Sequence, residues 1–430
     1  MRASLKLLIG YFICCIVGFT LLSFPGFQIQ DVSTIDNLFV AVSSISTTGL
    51  VPFQLAENYN LGGQIVILIL IQIGGIGFMS IAAYIIHRMN HKWESDEKEL
   101  IESDLGLPPH YSLITLIKIK LFLALIVEAI GASFLFFIFK DLGIENPLWN
   151  AIFHSVSAFC TAGMSLFSNG LENFTTHYGI NFIIGILCYI GSIGFIVFTD
   201  LWQLIQGKRK SLTFTSRIIL KYSSILIVIG TVVFFTLEPA IQGFSISEKL
   251  LISFFQVISA SSTAGFNTIS FDLLSIGNLF LLCLLMIIGA SPSGTGGGLK
   301  ITLFATIYAH MKSSFQGMHK TVLENTIIPA HRVGLALATF TFYVLTLSLS
   351  ALILTYFYPH EDFEKIVFEA ISAFSTVGLT MGLTYKLGIA GKALIIITMF
   401  IGRIGFLALG GILFWVNHKN VISETGDIAI

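Results

Sequence analysis

The stretch FVAVSSISTTGL at residues 39–50 recurs three more times in this 430-residue chain. The other copies are FHSVSAFCTAGM at 153–164, FQVISASSTAGF at 255–266 and FEAISAFSTVGL at 368–379. Each copy has a Phe, a Ser four residues later, a Thr four residues after that, and a Gly two residues further on. Agreement at four positions in four ungapped copies indicates an internal structural repeat.

The composition of the chain indicates a membrane protein. Hydrophobic residues make up 55% and charged residues only 11%, with a mean hydropathy of +0.87, whereas soluble domains carry about 25% charged residues. The net charge of −1 argues against a nucleic-acid partner. The five Cys lie in apolar runs without metal-ligand spacing, so we interpret them as small hydrophobic residues.

Eight segments are apolar and long enough to span a membrane, near residues 4–24, 62–86, 117–139, 179–205, 218–238, 276–309, 333–357 and 389–416. The sixth is overlong and interrupted. Lys and Arg concentrate in the connections on the side of the two termini, so we predict a multi-pass membrane protein with both termini cytoplasmic. The opposite connections are rich in Asp and Glu, which would concentrate cations or are simply tolerated outside.

Each copy of the repeat lies between two predicted spans, on the outer side, and is too short to cross the membrane. We therefore predict re-entrant pore helices followed by loops. A second motif follows each copy and reads IGGIGF at 73–78, IGSIGF at 190–195, IGASPS at 288–293 and IGRIGF at 401–406.

The predicted fold is an all-α membrane protein with four parallel helix–pore loop–helix repeats around one pore, pseudo-fourfold and potassium-channel-like. The repeats are expected at 1–90, at 91–210, at 211–312 with a broken inner helix, and at 313–430 with the C-terminal tail.

Four re-entrant loops from parallel repeats can meet on one axis, where their carbonyl oxygens would replace the hydration shell of a potassium ion. Gly allows such a bend without a side chain in the way. One Gly per loop predicts fewer ion sites and looser selectivity than in a tetrameric potassium channel. The alternative is that Thr-x-Gly marks helix caps or close helix packing. The predicted ion-binding residues are Thr47, Thr48, Gly49, Thr161, Ala162, Gly163, Thr263, Ala264, Gly265, Thr376, Val377 and Gly378.

The sixth span contains the glycine-rich run GASPSGTGGG at residues 289–298. Pro292 lacks a backbone donor and each Gly costs a helix about 1 kcal/mol relative to Ala, so we do not expect a straight helix there. The alternative to a functional break is a passive kink. A phosphate-binding loop is a poor match, because no Gly is followed directly by Lys and then Ser or Thr.

Arg403 places a cation inside the last apolar segment, at the motif position that Gly75, Ser192 and Ala290 hold in the other repeats. Charges within a membrane are costly and usually functional, so we expect Arg403 to line the pore below the filter. The alternative is a structural role, with Arg403 paired to hydroxyl groups or to a carboxylate such as Glu128. Asp200 and Lys300 are expected near the cytoplasmic surface, and we assign them no role. Glu369, on the fourth predicted pore helix, is weaker evidence than Arg403 for a functional charge within the membrane.

These features resemble the Ktr/Trk/HKT superfamily of potassium transporters, and most closely its KtrB-type subunits. The resemblance covers nearly the whole chain and rests on the four filter segments, the run at 289–298 and Arg403. It implies potassium uptake across a bacterial plasma membrane, with potassium held by the filter backbone and a loop beneath it that moves on activation. Gly49 favours potassium, since some plant relatives with Ser there favour sodium. The implied gating residues are Gly289, Pro292, Gly294, Gly296, Gly297, Gly298 and Arg403.

The resemblance also implies partners. Such proteins form homodimers in membrane lipid, with one pore per subunit, and bind a cytosolic ring of nucleotide-sensing subunits of the KtrA type. Sodium often stimulates them, and no organic cofactor is expected on this chain. We find no nucleotide-binding domain in the sequence, so the regulatory subunit is expected to be a separate chain.

Two other functions are considered. A secondary transporter would couple potassium to sodium or protons through broken helices, with saturable flux and a fixed stoichiometry. A membrane enzyme has little support, because the predicted spans contain no Ser/His/Asp or metal-ligand cluster and the ten His are scattered.

Overall fold

The structure is a computed structural model that describes the backbone of residues 3–77 and 113–405, and the side chains of residues 8–77 and 118–405. The described chain is almost entirely helical, which confirms the predicted all-α class. Its helices form four successive groups. The first two groups are α1 (Ala3–Leu22), α2 (Thr34–Ile45), α3 (Leu55–Asn58) and α4 (Leu61–Ile76), then α5 (Leu113–Asp141), α6 (Pro147–Phe159), α7 (Tyr178–Ile193) and α8 (Phe195–Ile205).

The third group is α9 (Phe214–Leu237), α10 (Ile246–Ser261), α11 (Ile276–Ile288) and α12 (Ile301–Phe315). The fourth group is α13 (Ala330–Phe357), α14 (Phe363–Phe374), α15 (Leu383–Lys386) and α16 (Ile389–Ile404). Each group has a first, outer helix (α1, α5, α9, α13), a short pore helix that carries the repeat motif (α2, α6, α10, α14), and an inner helix (α4, α7, α11, α16).

Two of the pore helices, α2 and α10, begin at residues that satisfy free backbone N–H groups. The Ser33 hydroxyl accepts from the N–H of Asp36 at 3.2 Å, and Ser245 forms a reciprocal capping box with Glu248 at the start of α10. Pro147 lies in the first turn of α6, where its missing N–H leaves no bond unmade. These local signals explain why α2, α6 and α10 begin where they do.

The motif phenylalanines anchor the pore helices in the protein interior. Phe39 and Phe153 are 0% exposed, and Phe255 and Phe368 are 1% exposed. Lipid is as apolar as a phenyl ring, so their contribution in a membrane comes from close packing rather than from release of water.

Three helices are long and apolar enough to be single spans, at Lys118–Asp141, Phe214–Leu237 and Ala330–Phe357. α7 and α8 would add a fourth if they are taken together, although they meet at 90°. These helices support a membrane protein. Among the described residues, however, the eight segments predicted from hydropathy are not eight single long helices.

The difference lies in the second glycine of the IGxIGF motif. Gly77, Gly194 and Gly405 follow the last residues of α4, α7 and α16 and have φ of 91°, 93° and 87°, angles that disfavour any side chain. The predicted span at 179–205 therefore consists of two helices, α7 and α8, and not of one straight helix. Within the predicted spans 62–86 and 389–416, the helices end at Ile76 and Ile404. The residues after Gly77 and Gly405 lie outside the described part of the chain.

The four groups pack in cyclic order. Each pore helix packs on the outer helix of its own group, and each inner helix packs on the pore helix of the next group: α4 on α6, α7 on α10, and α11 on α14. The circle closes because α16 packs on α2. The four repeat motifs are therefore arranged around one common centre.

A two-stranded hairpin joins the third group to the fourth. β1 (Val322–Leu323) and β2 (Thr326–Ile327) are antiparallel, with Val322 opposite Ile327 and Leu323 opposite Thr326. The turn residues Glu324 and Asn325 have φ of 47° and 64°, as a tight two-residue turn requires. Glu324 also pairs with Lys221 of α9, so the hairpin is fixed to the outer helix of the third group.

Candidate ion-conduction site

The four Thr-x-Gly loops share one backbone conformation. The threonines Thr47, Thr161, Thr263 and Thr376 have φ of 51°, 52°, 56° and 51°. The glycines Gly49, Gly163, Gly265 and Gly378 have φ of 92°, 64°, 78° and 95°. A non-glycine residue held at positive φ costs about 1–3 kcal/mol and is typical of functional sites, where surrounding contacts impose it.

The loops contact one another in a closed ring. A Cβ added to Gly49 would overlap the carbonyl oxygen of Ala162, the middle residue of the next loop. The same relation joins Gly163 to Ala264, Gly265 to Val377, and Gly378 back to Thr48. Each glycine thus faces the middle carbonyl of its neighbour, and no larger residue fits at these positions without moving a loop.

The motif serines tie each loop to its pore helix. Ser43 and Ser372 accept from the N–H groups of Gly49 and Gly378, at 3.1 and 3.0 Å. Ser157 and Ser259 instead donate to the carbonyl oxygens of Met164 and Phe266, at 2.8 and 2.6 Å. The sequence repeat identified these serines as a motif position, but it could not predict which loop atom each hydroxyl bonds to.

The glycine-rich run 289–298 lies against the threonines of this ring. The Thr161 and Thr295 hydroxyls are 3.1 Å apart, and the Thr263 hydroxyl accepts from the N–H of Gly297 at 2.9 Å. A Cβ added to Gly297 would overlap the hydroxyl of Thr376. Among the described residues, the buried Thr47 and Thr376 hydroxyls have no hydrogen-bond partner. The ring and the run therefore form one continuous site.

The run is a compact loop between α11 and α12. Gly289 and Gly298, at its two ends, have φ of 64° and 69°. Between them, the N–H of Ala290 donates to the carbonyl of Gly297 at 3.2 Å. The inner helix of the third group is thus interrupted where the glycines and Pro292 predicted a break.

The loop is bonded mainly to the second group. Ser291 and Thr295 donate their N–H groups to the carbonyls of Ser192 and Gly191, each at 3.0 Å. The Thr295 hydroxyl also donates to the carbonyl of Phe159 at 3.0 Å, at the end of a pore helix. Two other predicted gating residues also contact the second group: the Pro292 carbonyl lies against Gly194, and Gly294 lies against the Ser192 carbonyl. Gly296 lies against the Thr263 hydroxyl of the third group.

Arg403 joins the loop to two other groups. Its guanidinium donates to the carbonyl of Thr295 at 2.7 Å and to the carbonyl of Gly74 in the first group. Glu128, which the sequence analysis considered as its partner, accepts two hydrogen bonds from the Gln72 amide, at 2.9 and 3.0 Å. Arg403 therefore holds the backbone of the loop.

Sequence reasoning missed two residues of this cluster. Thr295 carries the hydrogen bonds described above but was not among the predicted gating residues. Lys300 was set aside, yet its ammonium donates to the carbonyl of Gly296 at 2.7 Å. The only available signal was their position, inside the run and two residues after it.

Asp200, to which the sequence analysis gave no role, is a buried structural residue. It is 0% exposed and accepts from the hydroxyl of Ser216 at 2.6 Å and from the N–H of Thr213 at 3.1 Å. These bonds fix the start of α9, and Arg209 lies 3.8 Å away.

The predicted outer face contributes one further link near the ring. The amide of Asn267 donates to Glu172 at 2.7 Å and so connects the loops that follow the second and third glycines. Partial burial raises the pKa of Glu172, and the bond from Asn267 partly opposes this. Among the described residues there is no group of three or more His, Cys, Asp or Glu side chains placed to hold a metal ion.

Several known proteins are similar to this chain over most of its length. Ktr system potassium uptake protein B of Vibrio alginolyticus is 35% identical over 90% of this chain and 86% of its own. The protein of the same name in Bacillus subtilis is 35% identical over 98% of this chain and 95% of its own. Potassium/sodium uptake protein NtpJ of Enterococcus hirae is 33% identical over 93% of this chain and 90% of its own.

The fold also has a solved counterpart. The crystal structure of the potassium transporter TrkH from Vibrio parahaemolyticus superposes with a TM-score of 0.75 and covers 95% of this chain and 84% of that chain, at 19% identity. At that identity the likeness concerns the fold. The sequence profile of TrkH, described as a cation transport protein, matches residues 8–418. The predicted resemblance and the prediction of a transporter rather than an enzyme are therefore confirmed, and the chain belongs to the TrkH family of cation transport proteins.

Proposed function

We propose that this protein takes up potassium by conducting the ion through the ring of four Thr-x-Gly loops. The observation that carries the proposal is the closed contact of each loop glycine with the middle carbonyl of the next loop. A ring of backbone carbonyls can replace the hydration shell of a monovalent cation. The ion-binding residues would be Thr47, Thr48, Gly49, Thr161, Ala162, Gly163, Thr263, Ala264, Gly265, Thr376, Val377 and Gly378.

Potassium is the cation best supported. Two of the relatives named above are potassium uptake proteins by name, and all four loops of this chain hold the glycine that the ring requires. The two unpartnered threonine hydroxyls next to the ring, on Thr47 and Thr376, could add ligands. The membrane potential would drive entry, at about 2.3 kcal/mol per charge per 100 mV.

The loop 289–298 would act as the gate. It fills the space next to the threonines and is held there by hydrogen bonds from several groups, including those of Arg403. Opening would require Gly289, Pro292, Gly294, Gly296, Gly297 and Gly298 to change conformation together. Arg403, as a fixed cation beside the path, would also repel potassium until the loop moved.

Regulation would come from outside the chain. The relatives of Vibrio and Bacillus are named as parts of a Ktr system, which supports a separate cytosolic subunit ring of the KtrA type that senses nucleotides. We further propose a homodimer in the plasma membrane, with one pore per subunit and both termini cytoplasmic.

A coupled transporter is the second candidate. The relative from Enterococcus is named as a potassium/sodium uptake protein, which favours a role for sodium as a second transported or stimulating ion. Such a protein would show saturable potassium flux with a fixed sodium ratio, whereas a filter alone would not.

Uptake by living cells and flux in liposomes test the proposal together. Expression should restore growth of a potassium-transport-deficient bacterium on low potassium, and the purified chain should pass potassium in preference to sodium. Equal passage of both ions by protein that is folded would contradict the filter assignment. Potassium flux that requires sodium at constant ratio would favour the coupled transporter.

A further inference from the structure

The position directly after the motif phenylalanine is polar in three of the four repeats. In chain order it holds Val40, His154, Gln256 and Glu369, and each of these side chains is 0% exposed. A polar group buried on a pore helix is costly unless it is hydrogen-bonded. The partners of these residues therefore indicate what the position is for.

Glu369 holds the segment that follows the fourth loop. The Thr380 hydroxyl donates to one of its carboxylate oxygens at 2.7 Å, and the Thr384 hydroxyl donates to the other. Thr380 also accepts from the N–H of Gly382 at 3.0 Å. Because Thr380 lies two residues beyond Gly378, the carboxylate restrains the outer end of the ion-binding loop.

His154 makes the corresponding contact in the second repeat. Its Nε2 lies 2.9 Å from the hydroxyl of Ser165, two residues beyond Gly163. Its Nδ1 lies 2.8 Å from the carbonyl of Asn150, which can only accept, so Nδ1 carries the proton and a neutral ring accepts from Ser165.

Gln256 makes a single contact of this kind in the third repeat, where its amide donates to the Thr268 hydroxyl at 3.0 Å, three residues beyond Gly265. The first repeat differs, because Val40 and Val51 occupy the two positions and cannot form a hydrogen bond. The restraint therefore ranges from two bonds to a carboxylate in the fourth repeat to none in the first.

We propose that Glu369, His154 and Gln256 are positioning residues that fix the outer ends of three loops and so set ion selectivity, with Glu369 the strongest. The inference rests on the proposed filter. A carbonyl ring that is held from contracting around the smaller sodium ion discriminates against sodium by its size. Hydrogen bonds to a carboxylate are roughly twice as strong as neutral ones, so the fourth loop is held most firmly and the first least.

The test uses the full chain in liposomes and measures the preference for potassium over sodium. Thr380→Val is isosteric, removes one bond to Glu369 together with the acceptor of the Gly382 N–H, and should lower that preference about fivefold. Glu369→Leu should lower it further, and Glu369→Gln, which keeps an acceptor oxygen, should restore part of it. Thr236→Val is the matched control, because the Thr236 side chain is exposed and donates to carbonyls of its own helix; it should leave the preference unchanged.

Gly265→Ser is measured in parallel to distinguish a failure of the positioning role from a failure of the proposed filter. If Gly265→Ser loses preference while Thr380→Val and Glu369→Leu retain it, the positioning role is wrong and the filter stands. If Gly265→Ser also retains the preference for potassium, both the positioning role and the proposed filter are wrong. Equal losses in Thr380→Val and Thr236→Val would mean that loss of any threonine hydroxyl has this effect, and would overturn the proposal. Should Glu369→Leu melt at a lower temperature than the parent, Thr380→Val alone decides.

Discussion

Single residues at the ring combine strained backbone with buried hydroxyl groups. Thr47, Thr161, Thr263 and Thr376 all adopt positive φ, although threonine rarely does. The sequence repeat identified these positions correctly as a group, because four in-phase copies are visible without a structure. It could not predict their strained angles, which arise only from contacts between loops far apart in the chain.

The serine of the motif should stabilise its loop measurably. Ser372→Ala removes the acceptor for the N–H of Gly378 and should lower the free energy of unfolding by about 1 kcal/mol, because a buried donor loses its partner. Potassium preference should fall with it. Thermal unfolding in detergent and liposome flux measure the two effects.

Ser133→Ala is the control for this change. Ser133 donates only to a carbonyl of its own helix and is exposed. Its replacement should leave both quantities unchanged, and an equal loss in the two variants would exclude a specific role for Ser372.

Arg403 should keep the loop in its closed position. Arg403→Gln removes hydrogen bonds to the carbonyls of Thr295 and Gly74, and charged hydrogen bonds are each worth about 1.5–3 kcal/mol. We expect basal potassium flux without any partner to rise at least about tenfold. Arg332→Gln, at an exposed residue, is the control. Identical fluxes in the two variants would remove Arg403 from the gate.

At the scale of elements, glycines determine where the inner helices pass and end. Gly74, Gly191 and Gly402 bring their helices so close to the ends of the pore helices that a Cβ would overlap the carbonyls of Ile45, Phe159 and Phe374. Three residues later, Gly77, Gly194 and Gly405 end the helices. Hydropathy missed these breaks because the flanking residues stay apolar, whereas the run at 289–298 was recognised because Pro292 and repeated glycines disrupt the pattern.

The loop 289–298, which we propose is the gate, should not tolerate a methyl group at its closest contact. In Gly297→Ala the added carbon would overlap the Thr376 hydroxyl and the Ser375 carbonyl, so the closed loop cannot seat as observed. Basal potassium flux should increase severalfold, since overpacking costs about 1–3 kcal/mol. Liposome flux without any partner measures this.

Gly277→Ala provides the matched control. Gly277 lies on α11, which leads into the same loop, and an added Cβ there meets no atom within 4 Å. Its flux should equal that of the parent. A Gly297→Ala protein that is folded and equally closed would show that the loop has room to adjust and would weaken the gating assignment.

At the scale of the molecule, polar contacts join neighbouring groups around the ring. Asp36 of the first pore helix pairs with Lys392 of the fourth inner helix at 2.6 Å. The indole of Trp149 donates to Gln64 at 2.7 Å between the second and first groups. Such contacts between groups follow from the closed order of repeats. The sequence predicted four parallel repeats, but the boundaries at 90, 210 and 312 stay predictions.

The ion pair that closes the circle should matter more than an exposed one. The side chains of Lys392 and Asp36 are only 15% and 16% exposed, so Lys392→Met leaves a largely buried carboxylate and should cost about 1–3 kcal/mol of unfolding free energy. Lys386 pairs with Glu361 at 3.0 Å but is 57% exposed, so Lys386→Met should cost about 0–1 kcal/mol. Thermal unfolding compares the two variants. Equal losses of stability would contradict a special role for the contact between the fourth and first groups.

The whole-molecule claim is that four loops from one chain enclose a dehydrated potassium ion. Its most direct test is the potassium-to-sodium preference of purified Gly265→Ser protein in liposomes, compared with the parent chain. A side chain at Gly265 would overlap the Val377 carbonyl of the next loop and must deform the ring. We predict a marked loss of preference for potassium in protein that remains folded. An unchanged preference would contradict the account.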